Sequence, residues 1–505
     1  MHSPLYIQMK HCIYIFSKKA VHIINTFILI LLCSNFVFAQ EREISISEAL
    51  EISYKNNENI KRYAERVEQK NYEDKAAKGN FLPSINLIGG YTYLSENMEI
   101  NTSQVQSSLD DLGGKYGAAF IQAYGDQIGL SGVSAESAFG TLVGVLEQFP
   151  AYPNVIVDNQ QISTAAVTAT QPIFTGGKII AAKRYAKAEL ESSEIELKQV
   201  KDEIANELID RYLTVVLLKQ VIKTRQQVYE GMLTHKAQTE RAIELEILPK
   251  HVLLRAKVAV ADAEKDLNND KNKLKLAELA LRTTMNLSDA VPLKVMDSIG
   301  YQNLNFNFNE LLETANTNQP MLELIDQKEI MAKQAYALER SKFMPNIAAF
   351  GTYNMFREDL PIIPPKFIVG VQAQLNIFNG FKDVNKLKAS KHLKEEVKNA
   401  KAYASQQIKL LVESNYMNTL NQQKLYNSQI TTVELAKENL RINTRRFEEG
   451  LGKSIDVIDA SLLYEKSKIE QLVALDGYYK AMANLYSAIG QPEQIIPIIS
   501  NQILP

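Results

Sequence analysis

The residues able to do acid–base, nucleophilic or metal chemistry are few and scattered in this sequence. Beyond Gln40 there are three histidines, His235, His251 and His392, and their spacing suits neither a metal site nor a general base. Both cysteines, Cys12 and Cys33, lie before Gln40. No nucleophile elbow, P-loop or GxGxxG pattern occurs. We therefore predict no enzyme, no cofactor and no metal site, and we expect the three histidines to be solvated helix residues.

Two carboxylates have the most informative spacing. Asp456 and Asp459 lie three residues apart near the start of a predicted helix, so they share one helix face. Acids in a first helical turn are favoured by the helix dipole, which suits Asp456 better than Asp459.

The composition narrows the class of protein that must position these residues. The chain has 505 residues, of which 46% are hydrophobic and 23% charged, with a formal net charge of −2. This balance excludes a basic nucleic-acid binder and wholesale disorder, and the length suggests about three domains at roughly 150 residues each. The mean hydropathy of −0.18 is too polar for a helical membrane transporter.

The segment 1–39 reads as a cleaved signal peptide. Three lysines accompany an apolar run from Ala20 to Cys33, and Val37-Phe38-Ala39 has the small-residue ending of a cleavage site. The alternative is an N-terminal membrane anchor, but the apolar run is shorter than the ~20 residues that span a bilayer. Either Met1 or Met9 fits as the start. Cleavage would leave a chain without cysteine, hence without disulfides.

The remaining chain contains one pattern twice. Phe81-Leu82-Pro83-Ser84-Ile85 recurs 262 positions later as Phe343-Met344-Pro345-Asn346-Ile347, and Ile173-Phe174-Thr175-Gly176 recurs 204 positions later as Ile377-Phe378-Asn379-Gly380. The second displacement also carries Arg241 onto Arg445, Ala256 onto Ala460 and Leu281 onto Leu485. We predict a tandem duplication with repeats at 40–300 and 301–490 and a C-terminal tail at 491–505.

Each repeat predicts a helix, two strands, a long helix, a turn and another helix. The helices are expected near 47–80, 178–246 and 250–286 in the first repeat, and near 309–342, 382–449 and 454–489 in the second. The longest would extend roughly 100 Å at 1.5 Å per residue. Because no compact domain holds such a helix, we expect an extended coiled-coil wall.

The four strand segments alternate with a period of two. They lie near 84–93, 162–173, 346–355 and 367–377, and their polar positions hold no Lys, Arg, Asp or Glu. Tyrosines such as Tyr91, Tyr93 and Tyr353 lie near strand ends, as in an interfacial girdle. The alternative is a soluble sheet with one solvated face. Uncharged faces favour membrane strands, and because four strands cannot close a barrel, the chain must oligomerise, as a trimer with twelve strands or a dimer with eight.

The segment Arg446-Phe447-Glu448-Glu449-Gly450-Leu451-Gly452-Lys453-Ser454-Ile455-Asp456-Val457-Ile458-Asp459-Ala460 resembles the helical-tip motif of TolC-type outer-membrane efflux proteins. The duplicated layout, the Phe-x-Pro strand entry and the Phe-x-Gly strand exit also resemble that family, over about residues 43–491. The resemblance implies an α+β membrane protein in the outer membrane of a Gram-negative-type envelope. Its trimeric 12-stranded β-barrel, with four strands per protomer, would continue into an α-helical coiled-coil periplasmic tunnel.

The resemblance also implies partners and site residues. Such trimers are passive exit ducts that dock a periplasmic adaptor (a membrane fusion protein) and an inner-membrane efflux pump or ABC exporter, and they carry drugs, metals, other small molecules or polypeptides. Asp456 and Asp459 match the aspartate rings that close the periplasmic end, where three copies would concentrate six negative charges that attract cations and repel anions. The alternative is the first-turn role described above. Gly450 and Leu451, with Leu248 and Pro249 in the first tip, are the expected adaptor contacts; Gly450 could equally be a plain turn glycine.

Departures from the family pattern lie around the gate. A tyrosine that helps lock the closed state is here Phe447, an arginine partner is Gly452, and Val252 stands in the first tip where family members can carry an acid. The first tip, Glu246-Ile247-Leu248-Pro249-Lys250, also lacks the family glycine. The closed-state bonds must therefore differ from those of the family.

Two further expectations concern the loop and the competing function. The first repeat holds extra sequence, around 95–161 and rich in Gly, Ser, Gln and Ala, which would form a long outer loop. The competing function is a periplasmic coiled-coil adaptor or structural scaffold without a barrel. We predict the exit duct instead, because adaptors do not repeat the whole unit.

Overall fold

The computed structural model describes residues 43–96, 98–100, 155–157, 161–288, 294–295, 298–356 and 363–500. The predicted signal peptide and almost all of the predicted outer loop lie outside these residues.

Helices dominate the described chain. In chain order they are α1 (Ile46–Asn56), α2 (Glu58–Gly79), α3 (Lys178–Glu244), α4 (His251–Met285), α5 (Phe308–Asn318), α6 (Pro320–Ser341), α7 (Lys382–Glu448), α8 (Ser454–Ala488) and α9 (Ile495–Ser500). The two longest, α3 and α7, have 67 residues each. Among the helices of the described ranges, none combines the length and apolar content that crossing a membrane requires.

The first helix of each repeat is broken in two, where the sequence predicted one continuous helix. Asn57 is extended, and its side-chain oxygen accepts from the backbone N–H of Asn59 (2.9 Å) and Ile60 (3.3 Å), which caps α2. The second break falls at Gln319, which is extended and precedes Pro320. A residue before proline disfavours the helical conformation, and proline suits a first helical turn.

The elements recur at the two displacements found in the sequence. The starts of α5 and α6 lie 262 positions after those of α1 and α2, and the lengths are the same, 11 and 22 residues. The start of α7 lies 204 positions after that of α3, and both helices have 67 residues. The helix lengths and spacings thus recur at the two displacements from which the sequence predicts a duplication.

Left-handed backbone positions repeat in the same way. Each positive-φ residue in the described part of the chain has a counterpart 204 positions away that also has positive φ. Three of the four pairs combine a glycine with another residue type, so the conformation is kept where the residue is not. The pairs are Gly176 and Gly380, Gly177 and Phe381, Glu246 and Gly450, and Asn286 and Gly490.

One antiparallel four-stranded sheet lies between these helices in sequence. Its strands are β2 (Ser84–Tyr93), β5 (Gln161–Phe174), β7 (Asn346–Phe356) and β8 (Phe367–Gln374), in the order β2-β5-β7-β8. Minor pairs are formed by β1 (Glu43–Ile44) with β6 (Lys294–Val295), and by β3 (Met98–Ile100) with β4 (Val155–Val157). The four predicted strands are confirmed, although β8 ends three residues early. Within the described residues the sheet has two unpaired edges, β2 and β8.

Apolar side chains on the edge strands face no protein within the described chain. All ten residues of β2 are exposed. Ile85 and Leu87 are each 72% exposed, and Val369 and Val371 in β8 are each 67% exposed. Several large apolar side chains exposed along one strand are typical of a surface that contacts lipid or another chain.

The described chain divides into two compact units that cut across the repeats. One unit comprises the described parts of 1–74, 185–333 and 391–505, and the other comprises those of 75–184 and 334–390, which hold the four-stranded sheet. The helical unit has a core of fully buried side chains that includes Leu208, Tyr212 and Tyr479. Ile495 and Ile499 of α9 belong to the same core, so part of the predicted C-terminal tail is structural.

Tyrosines tie the connecting segments to this core. The hydroxyl of Tyr479 donates to the carbonyl of Gly300 (2.6 Å), and that of Tyr478 donates to Gln302 (3.1 Å). The hydroxyl of Tyr212 donates in the same way to Ile44 in β1 (3.1 Å). These bonds satisfy polar groups inside an apolar cluster and hold the linker between the repeats against α8.

The strand-to-helix turns offer a matched test of packing. Gly176 and Gly380 have φ values of +61° and +68°, but an added Cβ at Gly176 would lie 2.5 Å from Met344 Cβ, whereas a Cβ at Gly380 would meet no described atom within 4 Å. Both alanine substitutions carry the left-handed penalty of about 1–2 kcal/mol, and only Gly176→Ala adds a clash. We expect a larger drop in the thermal unfolding midpoint for Gly176→Ala, measured by circular dichroism. Equal drops would contradict this packing.

Candidate functional site at the helical tips

The two helical tips turn with the same backbone. Gly450 in the second tip has φ +72°, and Glu246, 204 positions earlier, has φ +58°. In each tip the backbone N–H of the residue after the left-handed position donates to the carbonyl five residues earlier. These bonds are Leu451 N–H to Arg446 C=O (2.7 Å) and Ile247 N–H to Ala242 C=O (2.9 Å).

In the first tip, Glu246 adopts the left-handed conformation that Gly450 adopts in the second tip. The first tip does lack the family glycine, yet the left-handed conformation is retained with a side chain present. That conformation costs a non-glycine residue about 1–2 kcal/mol. The difference between the tips therefore lies in strain and surface chemistry, while the path of the chain is the same.

The tips expose apolar side chains and border a common groove. Leu451 is 71% exposed, and Leu245 and Ile247 are 70% and 65% exposed. An open groove is lined by residues of both tips, including Leu248 and Gly450. Of the expected adaptor contacts, Leu248 and Gly450 line this groove, whereas Leu451 and Pro249 are exposed residues of the tips outside its lining.

The two acids of the second tip have different surroundings. Asp456 is half-buried and accepts a hydrogen bond from the backbone N–H of Lys453 (3.3 Å), the residue before α8. Asp459 lies one turn further along the helix and is exposed. Within the described ranges neither carboxylate forms an ion pair. Asp456 thus accepts a hydrogen bond from a backbone N–H at the start of α8, whatever its role in a gate. Asp459 makes no capping bond of this kind in the described part of the chain.

His235 is buried, so the prediction that it is solvated was wrong. Its side chain joins α3 to the second tip: Nε2 is 2.7 Å from Ser454 Oγ, and its ring centroid is 4.7 Å from that of Phe447. Only 5% of its surface is exposed. His251 and His392 are exposed, as predicted. Phe447, which has no hydroxyl to donate, instead packs its ring on His235 and so links α7 to α3.

Burial sets the charge state of this histidine. Desolvation lowers the pKa of His235 below its usual value, and the interaction with Ser454 offsets part of that shift. The folded tip therefore holds a neutral imidazole at pH 7. The charged side chain nearest in sequence is that of Glu448, which follows Phe447. Its carboxylate accepts a hydrogen bond from the side-chain amide of Gln238 in α3 (3.2 Å).

A second polar cluster, further from the tips along the helices, joins α3, α4 and α8. Arg225 of α3 donates to Glu465 of α8 (2.8 Å) and to Asp270 (3.1 Å) and Asp266 (3.2 Å) of α4. Burial opposes its charge, but the carboxylates more than compensate and raise the pKa of Arg225. Burial raises the pKa of Glu465, against the effect of Arg225. Across the part of the chain that is described, no group of three or more His, Cys, Asp or Glu is arranged to hold a metal.

The burial of His235 predicts a pH-dependent tip. Because its folded pKa lies below the unfolded value of about 6.5, the stabilisation is complete above that pH and is lost as the pH falls below it. We expect hydrogen–deuterium exchange at 447–457, corrected for intrinsic rates, to show lost protection at pH 5.5 relative to pH 7.5. His235→Gln should reduce this pH dependence and His251→Gln should not. Equal pH dependence in both variants would contradict the assignment.

Comparisons with known proteins agree with this architecture. The structure is similar to VceC, an outer membrane protein of Vibrio cholerae (15% identity, 88% of this chain and 96% of that chain covered, TM-score 0.66). It is also similar to the CmeC outer membrane channel of Campylobacter jejuni (12%, 91% and 90%, TM-score 0.65) and to the open state of the MtrE outer membrane channel of Neisseria gonorrhoeae (14%, 88% and 89%, TM-score 0.64). At these identities the likeness shows the fold.

The sequence comparisons supply the family. A search of curated proteins found no match. The family model described as Outer membrane efflux protein matches residues 157–287 and 311–491, one segment in each repeat and more than half of the chain. The chain therefore belongs to the outer membrane efflux protein family.

Proposed function

We propose that the chain forms a homotrimeric outer-membrane channel. The observation that carries this proposal is the four-stranded sheet with two open edges and exposed apolar side chains. In lipid, open edges would leave backbone groups unpaired, and four strands are too few to close a barrel. Pairing β8 of one copy with β2 of the next removes every edge, and three copies give a twelve-stranded barrel.

The composition of the strands supports a lipid environment. None of the four strands contains Lys, Arg, Asp or Glu. Their polar positions hold Ser, Thr, Asn, Gln and Gly, which suit a water-filled lumen without the cost of placing a charge in lipid. The repeated helices, each pair ending in a tip, would then form the periplasmic tunnel of a duplicated unit.

The channel acts as a passive exit duct of a tripartite efflux or type I secretion system. Energy comes from an inner-membrane efflux pump or ABC exporter, and a periplasmic adaptor joins the two. Exposed Leu451 and the groove that contains Leu248 and Gly450 offer the adaptor an apolar surface at the tips. Pro249, exposed beside them, completes this surface.

Asp456 and Asp459 form the periplasmic gate in this proposal. Three tips around one axis bring three copies of each acid to the narrowest point, where their field selects cations. The hydrogen bond from Lys453 to Asp456 holds that carboxylate at the helix start. Phe447 packed on His235 stabilises the tip in place of the family tyrosine.

Membrane fractionation and assembly state test the channel. We expect the protein in the outer-membrane fraction, where detergent extraction yields a stable trimer that conducts ions in planar bilayers. A water-soluble periplasmic monomer would overturn the proposal and favour the adaptor or scaffold. Conductance separates the channel from an inert membrane scaffold.

Ion selectivity tests the gate. Asp456→Ala combined with Asp459→Ala removes six negative charges from the trimer, so we expect the ratio of cation to anion permeability to fall several-fold in planar-bilayer recordings. Glu395→Ala combined with Glu396→Ala also removes six charges, from two exposed acids of α7 that lie more than 50 residues before the second tip, and is the matched control. Unchanged selectivity in the double variant would refute the gate assignment.

A further inference from the structure

Helices α3 and α8 join the two repeats through one antiparallel contact. Three polar interactions mark its register, and they are Asn206 with Asn484 (3.1 Å), Asp210 with Lys480 (3.1 Å) and Arg225 with Glu465 (2.8 Å). Along the contact, the residue number falls in α8 by the same steps by which it rises in α3. The two helices therefore keep one register over about five turns.

Helix α7 is the counterpart of α3 in the second repeat, and its equivalent face is exposed. Leu213 of α3 is buried, whereas Met417, which lies 204 positions later in α7, is 60% exposed. On the same stretch of α7, exposed Leu410 and Leu411 line a groove between α6 and α7. The apolar face that is covered in the first repeat is thus uncovered in the second, as far as the chain is described.

Helix α4 is the counterpart of α8 in the first repeat, and its equivalent face is exposed as well. Ile458 and Ala483 of α8 are buried. Their counterparts in α4, Leu254 and Leu279, are 64% and 51% exposed although both are larger apolar residues than alanine. Large apolar side chains left exposed on a helix face are typical of a surface that contacts another chain.

We propose that α4 of one copy packs antiparallel on α7 of the next copy, in the register in which α8 packs on α3 within one chain. The displacement of 204 positions carries Asp210 onto Ser414 in α7. It carries Lys480 back onto Leu276 in α4. Leu276 therefore lies against Ser414, which also lines the groove between α6 and α7. This interface rests on the trimeric channel proposed above and commits the groove to a second copy of this chain.

The duplication explains why one contact predicts the other. An operation that carries the first repeat onto the second, and the second onto the first repeat of the next copy, turns the α3–α8 contact into an α7–α4 contact. Each copy offers one α7 face and one α4 face, so the contact is heterologous and closes into a ring. Arg225 bonds both Asp270 and Glu465, which are not counterparts, so α4 and α8 are staggered along α3. The register of the interface is therefore taken from the observed contact and requires no equal level of counterparts.

The spacing of exposed leucines supports the same register independently. Leu254 and Leu279 on α4 are 25 positions apart, and so are Leu410 and Leu435 on α7. This spacing is close to seven helical turns, so each pair lies on one helix face. In the register carried over from α3 and α8, Leu279 comes within one position of Leu410. Leu254 likewise comes within one position of Leu435, and a slip of two turns would separate both pairs.

The two contacts differ in chemistry, and the difference selects which helices pair. The contact inside the chain pairs charges, whereas the equivalent positions between copies hold uncharged residues. The replacements, with the residue of α3 or α8 first, are Asp210 by Ser414, Arg225 by Gln429, Lys480 by Leu276 and Glu465 by Ala261. If α8 of another copy docked on α7, Lys480 would lose the carboxylate of Asp210, and Glu465 would lose Arg225. Like geometry with unlike chemistry thus keeps the ionic contact within a chain and the apolar contact between chains.

Copying the internal ion pair into the interface tests the register by rescue. Leu276→Lys places a charge in an apolar contact and should lower the temperature at which the detergent-stable trimer dissociates. Adding Ser414→Asp recreates the pair that Lys480 forms with Asp210, so it should restore most of the loss. Adding Asn421→Asp instead, at an exposed position about two turns further along α7, should not restore it. Equal recovery with both acids, or recovery with neither, would contradict the register.

Cysteine cross-linking in intact membranes tests the partner. The sequence has cysteine only at positions 12 and 33, so introduced thiols are easily controlled. With a short bismaleimide, we expect Leu276→Cys combined with Ser414→Cys to give covalent dimers and trimers on denaturing gels, and either single variant to give monomers. Leu276→Cys combined with Asn421→Cys is the matched control and should cross-link several-fold less. A native trimer in which the first pair fails to cross-link, or in which the control pair cross-links equally, would overturn the interface and leave the channel intact. Absence of any trimer in the unmodified protein would instead refute the proposed function.

Discussion

A 67-residue helix cannot be stabilised by its own length, and the helical part of this structure follows from that constraint. At 1.5 Å per residue, α3 and α7 each extend about 100 Å, and most helical stability in proteins comes from burying an apolar face. Lateral partners must therefore accompany the helix along its course. The buried positions of α3, such as Leu208, Tyr212 and Val215, supply the face that those partners cover.

Charged side chains are also buried where the long helices pack together. The side chains of Arg225, Asp270 and Glu465 are only 21%, 6% and 6% exposed, and they join three helices. A buried charge that loses its partner costs several kcal/mol, so a helix that slid by one turn would leave Glu465 unpaired. Apolar stripes along a uniform helix tolerate such a slip much better. The ion pairs therefore specify the register of α3, α4 and α8, which burial alone would leave less well defined.

The helix and strand bounds could be predicted well from the sequence because the signals that set them, such as periodicity and turn residues, are local. Each signal also occurs a second time at a constant displacement. Two constant displacements located the equivalent elements, and the structure ends the long helices within two residues of the predicted positions. The break at Gln319 also had a local signal, since Pro320 follows it. The burial of His235 had none: its partner Ser454 lies 219 residues away. Periodicity shows which face of a helix is buried, but not which side chain lies opposite.

Differences between the repeats carry information of another kind. Ala256 and Ala460 are both buried, because a contact inside the chain sets the same volume limit in each copy. Exposed positions lack that limit, and Arg255 and Asp459 have opposite charges. The turn residues follow the same rule, because Glu246 and Gly450 share a left-handed backbone although their side chains differ. Positions held by backbone geometry or by packing inside the chain therefore stay alike in the two copies, whereas exposed positions diverge and give each tip its own surface chemistry.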